Sequence, residues 1–252
     1  MLYGGVTGIF LPMTTDTQEV RIVLVTGGNR GIGLAIARAF EAAGDTVIVS
    51  HRSGVAPDGF PGVIMDVTDA ESVASAFKEI ETKYGAVDVL VANAGITKDG
   101  LSLRMSDEDF QSVVDTNLTG AFRTTQKVLS GMMKKKSGRV IFVGSVVGLL
   151  GSAGQVNYAS TKSGLIGMAR SFAREYGSRN ITFNVIAPGF VETDMTSGLS
   201  QELRSKYVDQ IPLGRFCSPE EIAGVATFLA SKQGQYITGA VIPVDGGLGM
   251  GH

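Results

Sequence analysis

Ile22-Val23-Leu24-Val25-Thr26-Gly27-Gly28-Asn29-Arg30-Gly31-Ile32-Gly33 is the stretch that decides the fold. Ile22 to Thr26 is a short, almost wholly aliphatic run, the pattern of a strand buried on both faces. A glycine cluster follows at once. From Gly31 to Ala43 the apolar residues recur at helical spacing, so strand gives way to helix across one tight turn. Working outward, the alternation repeats. Thr46 to Ser50 reads as a second strand and Val63 to Met65 as a short third. Asp69 to Tyr84 is helical, with Thr68 or Asp69 as cap. Val87 to Val91 is a strand, Asp107 to Lys135 one long helix, and Arg139 to Val143 a strand again. Asn157 to Tyr176 is helix, Thr182 to Ile186 strand, and Pro219 to Ala230 helix with Ser218 as N-cap. Val241 to Val244 closes the series. Such alternation predicts an α/β fold in three layers, a doubly wound parallel sheet of about seven strands with helices on both faces. Nothing between the elements reads as a linker, so residues 20–252 are expected to form a single domain.

Composition narrows the function classes. Of 252 residues, 44% are hydrophobic and 18% charged, which excludes a disordered chain. Lys plus Arg is 22 and Asp plus Glu is 24, a net charge of −2, against a dedicated nucleic-acid binder. Cys217 is the only cysteine. It excludes an intrachain disulfide and a cysteine-cluster metal site, and it suits a reducing, cytoplasmic setting. No run reaches the roughly 20 apolar residues of a membrane span. Met1 to Met13 is apolar but lacks the basic start of a signal peptide. Residues 1–19 are expected to be a loose extension, and Met13 could equally be the start. Glycine is enriched, 34 residues or about 13% against a usual ~7%. A glycine cluster therefore needs its context before it means anything.

That context exists for Thr26 to Gly33. Between a first strand and a first helix, glycines let backbone approach a pyrophosphate, and the helix N-terminus offers free N–H groups. Gly27, Asn29, Arg30, Gly31, Ile32 and Gly33 are the candidate residues. An NAD site would carry an acid near the end of strand two. Here that stretch reads Ser50-His51-Arg52-Ser53. Arg30 and Arg52 suit a ribose 2′-phosphate, which a guanidinium grips with paired hydrogen bonds; two solvated surface arginines are the alternative. Tyr158 and Lys162 share one helix face at i, i+4, which brings an ammonium close to a phenol and favours its phenolate. Ser145 lies just past the Arg139–Val143 strand, where open α/β sheets place their chemistry. Asn117 falls mid-helix, where an Asn is ordinarily solvated.

Taken together, Thr26–Gly33, Asn93-Ala94-Gly95, Asn117, Ser145, Tyr158-x3-Lys162 and Pro188-Gly189 resemble the short-chain dehydrogenase/reductase family, from about Arg21 to the C-terminus. The resemblance implies a Rossmann fold. Within that family, Ile96-Thr97-Lys98-Asp99 after the Asn-Ala-Gly, Gly144-Ser145-Val146-Val147-Gly148, Gly154 to Tyr158 and Pro188 to Thr196 resemble bacterial 3-oxoacyl-(acyl-carrier-protein) reductases. Gly27 to Arg30, His51 to Gly54 and Gly246 to His252 look most like their mycobacterial, long-chain branch.

The resemblance implies an activity and a role for each residue. The reaction is NADPH-dependent reduction of a 3-oxoacyl thioester on acyl carrier protein, in type II fatty-acid elongation. Another ketone, such as acetoacetyl-CoA, a steroid or a quinone, is the alternative substrate. Tyr158 donates the proton, Lys162 lowers the Tyr158 pKa and binds the nicotinamide ribose, Ser145 holds the carbonyl, and Asn117 holds a water leading from Lys162. Asp66 and Val67 contact adenine, Asn93 to Gly95 floor the adenosine ribose, and Pro188, Gly189, Val191 and Thr193 lie along the nicotinamide side. The acidic carrier protein is expected to meet Arg179. Ser130 stands where a second arginine is common, and Lys127, Lys134, Lys135 and Lys136 could substitute, or be only a solvated helix end. The family also implies a homotetramer, and Gly164, Gly167 and Ala169 on the Asn157–Tyr176 helix suit the close approach of another helix. No metal, nucleic acid or membrane partner is expected.

Overall fold

A computed structural model of the chain describes residues 20–52, 54–57 and 59–250; for Met195 it describes the backbone only. The expected extension over residues 1–19, and His252, lie outside the described residues. The strands are β1 (Ile22–Thr26), β2 (Thr46–His51), β3 (Gly62–Ile64), β4 (Val89–Ala92), β5 (Gly138–Val143), β6 (Ile181–Pro188) and β7 (Val241–Val244). They form one parallel sheet in the order β3-β2-β1-β4-β5-β6-β7. The order reverses between β1 and β4, and that switch opens a crevice at the strands' carboxyl ends.

Alternate residues of each strand serve opposite faces. Leu24, Ile48, Leu90, Val140, Phe142 and Phe183 pack under helices α2 (Ala70–Lys83), α4 (Gly120–Lys135) and α6 (Val156–Tyr176). Val23, Val25, Val47, Val49, Val91, Ile141 and Ile186 pack under α1 (Gly31–Ala42) and α9 (Pro219–Ala230). Both faces are covered, which explains why the strands are apolar runs and not alternating ones. Phe142 is fully buried among the first set, and its truncation to Ala would cost about 3–5 kcal/mol.

Local chemistry sets the ends of most helices. Asp69 caps α2 by accepting from the N–H groups of Glu71 and Ser72. Ser218 and Glu221 form a reciprocal capping box at α9, with Pro219 in its first turn. The expected long helix over Asp107 to Lys135 is continuous but not uniform. It comprises α3 (Asp107–Val114), a π-helical turn over Asp115–Thr119, and α4. Three short helices leave no mark in the sequence pattern: α5 (Val147–Leu150), α7 (Asp194–Ser197) and α8 (Gln201–Val208). All three follow the carboxyl ends of β5 and β6, where the chain crosses the crevice.

Candidate active site

The glycine turn is built to leave backbone donors open. Gly27 and Gly31 sit at φ +61° and +53°, the left-handed region that glycine adopts without strain. A Cβ on Gly33 would lie 2.5 Å from the Gly27 carbonyl oxygen and 2.6 Å from Asn93 Nδ2. Ile32 opens α1 beside it and is half-buried. Whereas α2, α3 and α9 each carry a side-chain cap and an acid in the first turn, α1 has neither. Its first N–H groups and its dipole therefore remain for an anion. These residues fit the pyrophosphate of a dinucleotide. The exposed Arg30 precedes α1, the half-buried Asn29 adjoins it, and the exposed Arg52 follows β2. Strand β2 itself ends without an acid.

The crevice floor is braced by one hydroxyl. Thr26 Oγ1 accepts from the N–H groups of Asn93 (2.9 Å) and Ala94 (3.0 Å). Asn93 Nδ2 donates to the carbonyls of Thr26 and Gly27, both at 3.0 Å. Asn93 Nδ2 thus braces the glycine turn, which fixes the half-buried Asn93 and Ala94 and the exposed Gly95 at the end of β4. Asp66 Oδ1 accepts from Thr68 N–H (2.9 Å) and Oγ1 (2.7 Å). Burial works against its charge, but the Thr68 hydrogen bonds, with Arg52 and Arg123 nearby, hold the carboxyl below its ordinary value. Val67 is buried against Gly120, where a Cβ would come within 2.7 Å. On the far side, the Pro188 carbonyl accepts from Val146 N–H and Gly189 packs on Asp245. Val191 pairs with Cys217, and the Thr193 methyl lies 3.6 Å from a Cβ placed on Gly31. The loop after β6 therefore roofs the glycine turn.

Asn117, Ser145, Tyr158 and Lys162 come together at the ends of β4 and β5. Asn117 is almost wholly buried, unlike an ordinary mid-helix Asn. The cause is the π-helical turn: Gly120 N–H reaches back five residues to the Asp115 carbonyl. Asn117 Oδ1 accepts from Ile96 N–H (2.8 Å), and Nδ2 donates to the Ile96 carbonyl (3.0 Å). Lys162 Nζ donates to the Val143 carbonyl at 2.7 Å and lies 5.4 Å from the Tyr158 ring centroid. Burial lowers the Lys162 ammonium to about 8. Ser145 Oγ accepts from Val147 N–H at 3.2 Å, and the Ser145 hydroxyl draws the Tyr158 phenol pKa down.

The expected lowering of the Tyr158 pKa by Lys162 is not what the structure shows. Burial pushes that phenol above its ordinary value; Ser145 pulls it down and Asp99 pushes it further up. The ammonium is aimed at the Val143 carbonyl and not at the phenol oxygen, which accounts for the difference. Gly148 is a site residue that sequence reasoning misses. A Cβ there would meet Lys162 C at 2.8 Å, so α5 closes on the Tyr158–Lys162 helix only because that position is bare. Its sole signal is a glycine inside the Gly144–Gly148 motif.

Two further placements differ from expectation. Gly164 faces Leu118 of its own chain, and a Cβ on it would lie 3.0 Å from that side chain, whereas Gly167 has open space beside it. Lys135 bonds Asp88 and the Ala86 carbonyl, and Arg179 adjoins Asn180, whose carbonyl accepts from Gly138 N–H. Arg179 and Lys134 to Lys136 therefore sit at the amino ends of the strands, opposite the crevice, and do not line its entrance within one subunit. Among the described residues no cluster could hold a metal ion, and no helix is long and apolar enough to cross a membrane.

Comparison with known proteins agrees with this geometry. A family model described as Enoyl-(Acyl carrier protein) reductase matches residues 27–249. The 3-oxoacyl-(acyl-carrier-protein) reductase MabA of Mycobacterium tuberculosis is 53% identical over 232 residues, 92% of this chain and 94% of that protein. The reductase FabG of Aquifex aeolicus is 48% identical over 90% of this chain and 97% of its own length. FabG of Escherichia coli is 47% identical over 92% and 98%.

Proposed function

Because the chain belongs to the short-chain dehydrogenase/reductase family, we propose that it reduces 3-oxoacyl thioesters of acyl carrier protein to 3-hydroxyacyl thioesters, using NADPH, in fatty-acid elongation. The observation that carries this reading is the gathering of Ser145, Tyr158 and Lys162 at the end of β5, with Lys162 Nζ 2.7 Å from the Val143 carbonyl oxygen and 5.4 Å from the Tyr158 ring centroid. A serine hydroxyl and a phenol on adjoining elements suit a carbonyl oxygen. Ser145 orients that oxygen and Tyr158 O–H gives it a proton. The raised phenol pKa keeps the proton in place at neutral pH, as a donor in the reducing direction requires. Lys162, neutralised more easily than an ordinary lysine, takes part in replacing that proton, and Asn117 holds the Ile96 backbone against which the crevice is built. When bound, the reduced nicotinamide supplies the hydride.

The cofactor would be held by Gly27, Asn29, Arg30, Gly31, Ile32 and Gly33 at the pyrophosphate and by Arg52 at the 2′-phosphate. Asp66, Val67, Asn93, Ala94 and Gly95 would lie along the adenosine. Tyr158, Lys162, Pro188, Gly189, Val191 and Thr193 would lie along the nicotinamide half. Lys98 and Arg104, in the loop after β4, are basic residues next to the crevice. Docking of an acidic carrier at Arg179 would require a crevice from another subunit. We assign a homotetramer, supported by the partly exposed Phe122 and Met133 on α4 and the open Gly167 on α6. Light scattering should give about 106 kDa, four times 26.4 kDa. A cytoplasmic location accompanies that substrate and the lone Cys217.

The test is oxidation of NADPH with 3-oxoacyl, trans-2-enoyl, steroid and quinone substrates in parallel. The 3-oxoacyl thioester should turn over fastest, and Tyr158→Phe should lower that rate about 10²–10⁴-fold while NADPH still binds. Faster turnover of the enoyl thioester, as the family description would suggest, overturns the reading.

A further inference from the structure

Both ends of the roof over the glycine turn rest on one short segment that follows β7. At the near end, Gly189 N–H donates to the Val244 carbonyl at 3.0 Å. A Cβ on Gly189 would lie 2.8 Å from Asp245 Cα, so the two backbones touch. At the far end, beyond α8, Leu213 N–H donates to the Gly246 carbonyl at 3.2 Å. A Cβ on Gly246 would lie 2.7 Å from Ile211 Cγ2, and one on Gly247 would lie 3.0 Å from Pro212. Gly246 and Gly247 sit at φ +64° and +89°, where a side chain would be strained. Asp245 sets the shape of this segment. Its buried carboxylate accepts from Gly247 N–H on Oδ1 (3.0 Å) and from Gly249 N–H on Oδ2 (2.8 Å). The Val191–Cys217 pairing and the stacking of Phe190 on Tyr207 and Phe216, by contrast, tie the roof to itself.

We propose that Asp245 is a positioning residue for the nicotinamide half of the cofactor site, folding the segment after β7 into the platform that fixes the roof at Gly189 and at Ile211 to Leu213. This rests on the proposed cofactor, with Gly189, Val191 and Thr193 along its nicotinamide half. Asp245 acts through Gly189, against which it packs, and through Gly246, which holds the far end. A carboxylate suits the task because both of its oxygens accept. An amide of the same shape offers one acceptor, and its NH2 would face a backbone N–H. The adenosine half is built from other elements: Arg52 after β2, Asp66 and Val67 after β3, and Asn93 after β4. A change at Asp245 should therefore affect one half of the site and spare the other.

The experiment compares NADPH with 2′,5′-ADP, which carries the adenosine half and its 2′-phosphate but no nicotinamide. Both are titrated by calorimetry against wild type, Asp245→Asn and Gly246→Ala. Asp245→Asn should weaken NADPH about five- to tenfold, the low end of coupling between distinct sites, and leave 2′,5′-ADP within about twofold. Gly246→Ala, which keeps the carboxylate but presses a methyl on Ile211, should give the same split. Ile211→Ala is the milder variant if either fails to fold, with the same split expected. In protein without cofactor, trypsin should cut after Lys206 of α8 faster in the variants than in wild type, since a roof released at one end opens more often. Equal losses for the two ligands, which general destabilisation would give, overturn the proposal, as does an unchanged NADPH affinity in Asp245→Asn. Wild type that binds neither ligand would instead count against the cofactor assignment.

Discussion

Replacing Lys162 by Met should stabilise the folded protein while removing its activity. The side chain is buried, and burial brings its ammonium from 10.5 to about 8. At about 1.36 kcal/mol per pH unit, holding that charge in the fold costs about 3 kcal/mol at neutral pH. Met fills a similar volume without charge, but it abandons the hydrogen bond to the Val143 carbonyl. That loss returns about 1–2 kcal/mol. The variant should therefore be about 1–2 kcal/mol more stable in urea unfolding at pH 7, with an unchanged slope. The pH dependence is the sharper test. Between about 8 and 10.5 the unfolded lysine holds more proton than the folded one, so wild-type stability rises with pH across that window. The Lys162→Met variant has no such titration, so the gap should close and then reverse as pH rises. A variant less stable than wild type at pH 7, or a gap that stays flat up to about pH 10, would refute the argument. Turnover should fall by about 10²-fold or more in either case.

Three other substitutions probe the crevice. Gly33→Ala places a methyl 2.5 Å from the Gly27 carbonyl; it should cost about 1–3 kcal/mol and abolish dinucleotide binding by fluorescence titration. Arg52→Ala should weaken NADPH binding about tenfold or more, with little change for NADH, since one charge-assisted contact is worth about 1.5–3 kcal/mol; equal losses for both cofactors would contradict a 2′-phosphate role. Gly148→Ala should separate α5 from α6 and reduce turnover more than NADPH affinity, measured by kcat against Kd.

Much of the fold is legible in the sequence because its strands are covered on both faces. Val23 to Val25, Val47 to Val49 and Val140 to Val143 cannot serve a solvated sheet, and the glycine turn marks where the first helix begins. Pro219 to Ala230 is legible to the residue, since Ser218, Pro219 and Glu221 write its start in the sequence. The misses share a cause. Asn117 looks solvated because helical periodicity assumes an even pitch, and nothing local announces a π-helical turn. Helices α5, α7 and α8 are too short for a periodic signal, and their positions are settled by what they pack against. The Tyr158 phenol misleads in the same way: spacing places Lys162 on the right face, but only the three-dimensional arrangement shows its ammonium engaged with Val143.

The extra residue in the turn at Asp115–Thr119 also changes what a mutation can do to this chain. Each residue advances an α-helix by about 100°, so the wider turn shifts the sequence periodicity of α4 by one residue against that of α3 while absorbing that residue in space. Leu118 is thereby free to meet Gly164, and Asn117 to meet Ile96. Deleting one residue of the turn would restore ordinary i→i+4 bonding and leave α3 and α4 facing as they do, because the wide turn absorbs that residue; what would be lost is the placement of Asn117 and Leu118. Regularity of the long helix and the present placement of Asn117 are therefore alternatives, and a single deletion could exchange one for the other without disturbing the core.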